Sequence, residues 1–170
     1  MPVGAMTHIK KKFGFTIVEL LVVISIIAVI ATLSTGAAIK SIQQARSKRI
    51  EATKHSLKLA LSNYYAMHGE WPCEFNNPDS GDKTFQTFTG KKNAEVFKQI
   101  FMDVLKKRAL IDTSTIFTSM PQGRMTVKQA LERGMTDIPV GYPDPKNTDT
   151  FRYFKIRYNF LTDSINVENE

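Results

Sequence analysis

Lys10-Lys11-Lys12-Phe13-Gly14-Phe15-Thr16-Ile17-Val18-Glu19-Leu20-Leu21-Val22-Val23-Ile24 is the stretch that decides the architecture. Three lysines lead into Gly-Phe-Thr, and one acid, Glu19, stands just before a run without any charge, Leu20 to Ile39. Those 20 residues, helical at about 1.5 Å each, match a bilayer hydrocarbon core of about 30 Å. A secretory signal peptide has an apolar region of only about 7–15 residues before its small-residue cleavage site. Gly36, Ala37 and Ala38 could serve as that site, but the run is longer. A plain signal anchor fits the length and leaves Glu19 unexplained. A charge at the centre of a membrane helix costs about 2.5–3.5 kcal/mol on insertion scales. Near the edge of the span the cost is lower, and the acid still calls for a partner.

The same residues resemble the processing site of the type IV pilin and type II secretion pseudopilin superfamily. The shared pattern is a basic leader ending in Gly14, then Phe15, Thr16, two apolar residues, Glu19 and a long apolar run. The resemblance covers residues 10–39 firmly and the helix up to Pro72 more loosely. It implies that Lys10 to Lys12 hold the leader in the cytoplasm and that a membrane prepilin peptidase cuts between Gly14 and Phe15. The same enzyme would methylate the new amino group of Phe15. Glu19 then faces the N-terminal ammonium of a neighbouring subunit. The physics agrees, because opposite charges attract far more strongly in low dielectric, and either one left alone there is costly. Glu19 would therefore act as a registry charge for assembly.

Working outward, the chain has 170 residues, 23 Lys+Arg against 16 Asp+Glu, and a net charge of +7. That length suits one compact domain, or a small domain with an appendage. With 42% hydrophobic and 23% charged residues, neither wholesale disorder nor a polytopic membrane protein fits. The single cysteine, Cys73, excludes an internal disulfide and a cysteine-only zinc site. Beyond the span, Lys40, Arg46, Lys48, Arg49, Lys54 and Lys58 outnumber the leader lysines. Counted alone, they favour a cytoplasmic C-terminus. The motif demands the opposite, because Gly14 must meet a cytoplasmic-face protease. The expected protein is therefore single-pass in a bacterial inner membrane, N-terminus cytoplasmic, with the C-terminal domain periplasmic or extracellular.

No proline lies between Pro2 and Pro72, so nothing in that interval must break a helix. After Ile39, apolar positions recur at Ile42, Ala45, Ile50, Thr53, Leu57, Ala60, Leu61 and Tyr64, the steps of one helical face. One helix is expected from Phe15 to about Met67, closed by Gly69 and Trp71-Pro72. The Gly69-Glu70-Trp71-Pro72 turn resembles that of the major pseudopilins. Residues 73 to 92 read as loop. Asn93 would cap a second helix with Val96, Phe97, Ile100, Phe101, Val104 and Leu105 inward, and Thr126 to Arg133 a third. Gly141 to Pro145, with its two prolines, reads as a turn or loop. Phe151 to Phe160 and Ile165 to Val167 read as strands joined by a turn at Thr162-Asp163-Ser164. The class is α+β: a long N-terminal helix, transmembrane half plus amphipathic half, packed on a small antiparallel sheet with inserted helices. The organisation is a leader at 1–14, the helix at 15–68 with its transmembrane part at 20–39, and the rest of the globular domain at 69–170.

The sequence carries no phosphate loop, nucleophile elbow or paired-His metal motif. His68 and Cys73 are a weak metal pair, outweighed by a helix-end histidine and a partly buried thiol. Asp144, Asp149 and Asp163 offer hard oxygen ligands for calcium, which some major pseudopilins bind, but their spacing matches no motif and turn-forming aspartates are favoured. No cofactor and no enzymatic activity are expected. The basic face from Lys40 to Lys58 is a solvated or subunit-facing surface first, a match for lipid headgroups second. Nucleic acid is disfavoured, since only Tyr64 and Tyr65 lie near enough to stack. The expected function is a pilin-like filament subunit, led by a type II secretion pseudopilin because a disulfide pair is missing. The alternatives are a minor type IV pilin serving adhesion, motility or DNA uptake, and a membrane-anchored periplasmic enzyme. Expected partners are homologous subunits, the prepilin peptidase, an inner-membrane assembly platform and membrane lipid.

Overall fold

The computed structural model describes residues 15–75, 78–79, 81, 84–106 and 110–170. Helix α1 runs Ile17–His68, then come strand β1 (Phe85–Phe88), a 3-10 turn at Gly90–Asn93 and helix α2 (Ala94–Leu105). Strands β2 (Phe117–Met120) and β3 (Gly123–Thr126) lead into helix α3 (Val127–Glu132), and β4 (Gly141–Pro143), β5 (Phe151–Asn159) and β6 (Ser164–Asn169) complete the chain. The class is α+β, as expected.

The 52 residues of α1 form a single helix. Its end is set at Gly69, whose φ of +74° suits a residue without Cβ and whose N–H reaches back to the Tyr65 carbonyl at 2.8 Å. The chain divides into two compact units, one ending at Ile42 and one running Gln43–Glu170. In the first, the apolar side chains are exposed: Leu20 is 57%, Ile24 56% and Ile30 58% accessible. With a mean hydropathy of 2.7 over its most apolar window and none of that window buried, this stretch is long and apolar enough to cross a membrane. Two of its hydroxyls fold onto the helix backbone, Ser25 onto Leu21 O at 2.5 Å and Thr32 onto Val29 O at 2.8 Å. Lipid supplies no hydrogen-bond partner, so such internal bonds are what an apolar environment demands.

In the second unit, α1 buries Ile50, Leu57, Ala60, Leu61 and Tyr64. Complete burial of a side chain such as Leu57 stabilises by about 1.5–3 kcal/mol. The expected face begins later than its sequence pattern, because Ile42 and Ala45 are exposed. Helix α2 buries Val96, Phe97, Ile100 and Phe101 completely, while Val104 is half-buried and Leu105 exposed. Helix α3 starts with a capping box: the Gln129 N–H donates to Thr126 Oγ1, and the Thr126 N–H donates to Gln129 Oε1. That reciprocal pairing satisfies two amides the helix itself leaves free.

The antiparallel sheet has the order β1-β5-β4-β2-β3, with β6 also paired to β5. Strand β5 organises it. Phe151–Tyr153 pair with β4, and Ile156–Asn159 pair with β1 and β6. Phe154 and Ile156 point into the core, fully buried.

Three expectations are corrected. The 73–92 stretch contains β1, whose Phe88 is buried; a four-residue strand supplies too short an alternation to stand out from polar flanks. Gly141 to Pro143 is strand β4, not turn. A Cβ at Gly141 would meet the Arg152 carbonyl and the Phe151 ring, so the glycine permits close strand pairing. Asn93 makes no side-chain cap bond. It is fully buried and its amide reaches Val140 and Phe154 instead.

Thr118 in β2 is fully buried, and among the described residues its hydroxyl has no partner. A buried unsatisfied hydroxyl costs about 1–3 kcal/mol. Thr118→Val keeps the shape and removes the orphan, so it should stabilise the fold by about 1 kcal/mol. Denaturant unfolding of the detergent-solubilised chain, followed through its single tryptophan, reads this directly; a loss of stability would mean the hydroxyl has a partner on this face.

Candidate functional site

The N-terminal motif enters the structure at Phe15; Gly14 and Lys10 to Lys12 lie outside the described residues. Phe15 is exposed, and both it and Thr16 precede the helix. Thr16 and Glu19 form a capping box of their own. The Thr16 N–H donates to Glu19 Oε2 at 2.8 Å and the Thr16 hydroxyl to the same oxygen at 2.8 Å. The Glu19 N–H in turn donates to Thr16 Oγ1 at 3.3 Å. This pairing satisfies first-turn amides and sets an anion at the positive end of the helix dipole. Thr-x-x-Glu directly before an apolar run is a helix-start signature that the sequence itself carries. Within the chain, then, Glu19 already has work as a cap, and its carboxylate is exposed.

The other candidates disperse. Among the described residues, no group of three or more His, Cys, Asp or Glu could hold a metal ion. Asp144 accepts from the Lys146 and Asn147 amides at 2.8 and 3.2 Å and from Arg152 Nε at 2.7 Å. Those backbone amides first, then Arg152, hold its carboxyl below the usual range. Asp149 lies in the same turn, its N–H donating to Asn147 Oδ1 at 3.1 Å. Asp163 is elsewhere: it accepts from Trp71 Nε1 at 2.7 Å, Tyr158 at 2.8 Å and Tyr65 at 3.1 Å. The Trp71 bond leads in lowering the Asp163 carboxyl, and burial leads in pushing the Tyr158 hydroxyl up to about 12. The aspartates are committed to turns and to an aromatic clasp.

His68 is 3.0 Å from the nearly buried Asp103 and stacks on Tyr64 at 4.2 Å. It is thus engaged away from Cys73. Burial, assisted by Glu95, pushes the Cys73 thiol up to about 12, so the thiolate needed for metal binding or nucleophilic chemistry is scarce.

On the basic face, Lys54 pairs with Glu51 and Arg49 lies 5.1 Å over the Phe117 ring. Arg46 and Lys48 are exposed. Neither stacking tyrosine is available, since Tyr64 is in the core and Tyr65 is tied to Asp163. That removes the aromatic half of a nucleic-acid surface.

Residues 9–35 match the family described as the prokaryotic N-terminal methylation motif. The chain is also 34% identical over 85 residues to a fimbrial protein of Neisseria meningitidis serogroup B. This chain is type IV pilin-like. A fimbrial protein of serogroup A of the same species is 32% identical over 78 residues. The matches cover 49% and 46% of the pilin-like chain, which spans about half the length of these curated relatives, 49% and 45%. No solved structure matches it.

Proposed function

We propose that this pilin-like chain is processed between Gly14 and Phe15, methylated on Phe15 and assembled into a filament whose core is built from the apolar half of α1. The observation that carries the reading is the match of residues 9–35 to a methylation motif, a stretch that includes the capped start of a helix with an exposed apolar surface. Such a surface needs lipid before assembly and other helices after it. In this reading residues 1–14 are a cytoplasmic leader, 20–39 cross the inner membrane, and the globular part is periplasmic or extracellular. The subunit catalyses nothing; it is the substrate of a prepilin peptidase and the cargo of an assembly platform.

Both relatives are named fimbrial proteins, which favours a pilus subunit over the secretion pseudopilin expected from the sequence. The pseudopilin reading keeps two supports, the lone Cys73 and the Gly69-Glu70-Trp71-Pro72 turn.

Mass spectrometry of protein recovered from membranes tests the processing. The mature chain should begin with methylated Phe15, and Gly14→Asp should abolish cleavage because the protease pocket must accept the residue before Phe15. Accumulation of chains beginning at Phe15 in that variant would overturn the site.

A further inference from the structure

A slot of about 160 Å³ lies between α1 and the strands β2 and β4. Helix α1 gives it Arg46, Arg49, Ile50 and Thr53. Intervals of three, four and seven put these side chains on one side of the helix. Across from them stand Phe117 of β2 with Tyr142 and Pro143 of β4. Ile50 and Tyr142 are buried, so the floor of the slot is apolar carbon. Water is poorly served there. Two of the three threonines in the lining spend their hydroxyls on main-chain carbonyls, Thr53 on Arg49 O at 3.0 Å and Thr115 on Asp112 O at 3.2 Å. The Tyr142 hydroxyl donates to Glu170 O at 3.3 Å. A bound water needs about two to four polar partners, whereas an aliphatic chain needs none.

The mouth of the slot is cationic. Arg49 carries its guanidinium 5.1 Å over the Phe117 ring, Arg46 lines the slot one helical turn earlier, and both are exposed. Among the described residues no carboxylate lines the slot, and neither arginine has an ion pair. Of the acids next to lining residues in the sequence, Glu51 is held by Lys54 and Asp144 by Arg152; Asp149 follows Thr148 and is not in the lining. Two guanidiniums without an acid beside them suit an anion, and the planar fork of each matches a carboxylate. Volume limits what that anion carries. Drug-sized ligands fill about 300–1,000 Å³, so this slot takes a few methylene groups rather than a helix or a strand.

We propose that this slot binds a small aliphatic carboxylate, its head on Arg46 and Arg49 and its chain against Ile50, Phe117 and Pro143. Charge and dryness select the ligand together. A bare inorganic anion leaves the apolar walls unfilled, and an aliphatic amine is repelled by both arginines. Each methylene taken out of water is worth about a fourfold gain in affinity. Hexanoate has four more of them than acetate, so burying only half of these already favours it by more than about tenfold. The site does not depend on the filament reading above. In that reading it belongs to the periplasmic or extracellular part, and the ligand comes from there.

The test uses the full chain in lipid nanodiscs and a six-carbon carboxylate ending in an alkyl diazirine, photolysed and mapped by peptide mass spectrometry. Label is expected on the peptides that hold Ile50, Phe117 and Pro143. Hexanoate should displace it at concentrations at least about tenfold below acetate or inorganic phosphate. The matching six-carbon amine with a diazirine should leave those peptides unlabelled. Arg46→Gln with Arg49→Gln should lower slot labelling by at least about tenfold, through lost charge-assisted hydrogen bonds. Both side chains are exposed, so an unchanged melting temperature shows that the variant folds. Hexanoate should raise that temperature in the unaltered chain and not in the variant, because a ligand of the folded state stabilises it. Label confined to Leu20 to Ile39 would mean partition into lipid and would overturn the site. So would displacement by phosphate as readily as by hexanoate, which reduces the slot to an arginine pair for any anion, or full labelling of the double variant.

Discussion

Asn93→Ala should strip about 3–5 kcal/mol from the globular unit, a large share of the about 5–15 kcal/mol that holds a domain folded. Asn93 is fully buried. Its Nδ2 donates to the carbonyls of Val140 and Phe154, each at 2.7 Å, and its Oδ1 accepts from the Val140 N–H at 2.9 Å. One side chain thus ties the start of α2 to the segment entering β4 and to the centre of β5. Alanine deletes all three bonds and leaves main-chain groups in the interior without these partners, at about 1–3 kcal/mol each before any relaxation. Asn93→Asp is the sharper variant. It keeps the size and the acceptor for Val140 N–H but turns an acceptor toward two carbonyl oxygens, so it should be at least as damaging at neutral pH. Denaturant midpoints read through Trp71 decide the matter. A loss under about 1 kcal/mol for alanine would mean that water takes over the bonds, which this buried position should not allow.

Asn93 also marks where sequence reasoning stopped. An asparagine before a helix reads as a cap, because local hydrogen bonding is what one sequence displays. Its actual partners lie 47 and 61 positions away, and no spacing rule reaches that far. What was legible is what is periodic. The uncharged run after Glu19, the steps from Ile50 to Tyr64, the inner face of α2 and the aromatic stretch of β5 all carry their period on their face. Strands β1 and β4 do not: four and three residues give no measurable alternation, and their pairing comes from β5 rather than from themselves. The aromatic clasp on Asp163 was hidden for the same reason. Tyr65, Trp71 and Tyr158 belong to three segments, and only the fold brings them to one carboxylate. Aspartates in turns resemble calcium ligands, but the carboxylate of Asp144 is taken by Arg152 and main-chain amides and that of Asp163 by aromatic donors.

Removing the charge of Glu19 while keeping its cap should reduce incorporation into filaments about a hundredfold or more, and this variant separates two roles that Glu19→Ala confuses. The capping box shows that Glu19 serves its own helix, accepting from the Thr16 amide and hydroxyl. Glu19→Ala loses both that cap and any charge offered to a neighbouring subunit, so its failure alone would not say which mattered. Glu19→Gln retains an acceptor suited to the capping box and is neutral. Thr16→Ala does the reverse, losing the hydroxyl and keeping the carboxylate. Losing a cap costs about 0.5–2 kcal/mol, spread over a helix of 52 residues that lipid supports. An ammonium left unpaired in an apolar interior costs about 3–5 kcal/mol. At about 1.4 kcal/mol per factor of ten, the larger penalty is worth two orders of magnitude or more. Glu19→Gln should therefore insert into the membrane normally and assemble poorly, while Thr16→Ala assembles within about tenfold of the unaltered chain. If instead Glu19→Gln entered filaments freely and Thr16→Ala did not, Glu19 would be a helix cap whose charge plays no part in assembly.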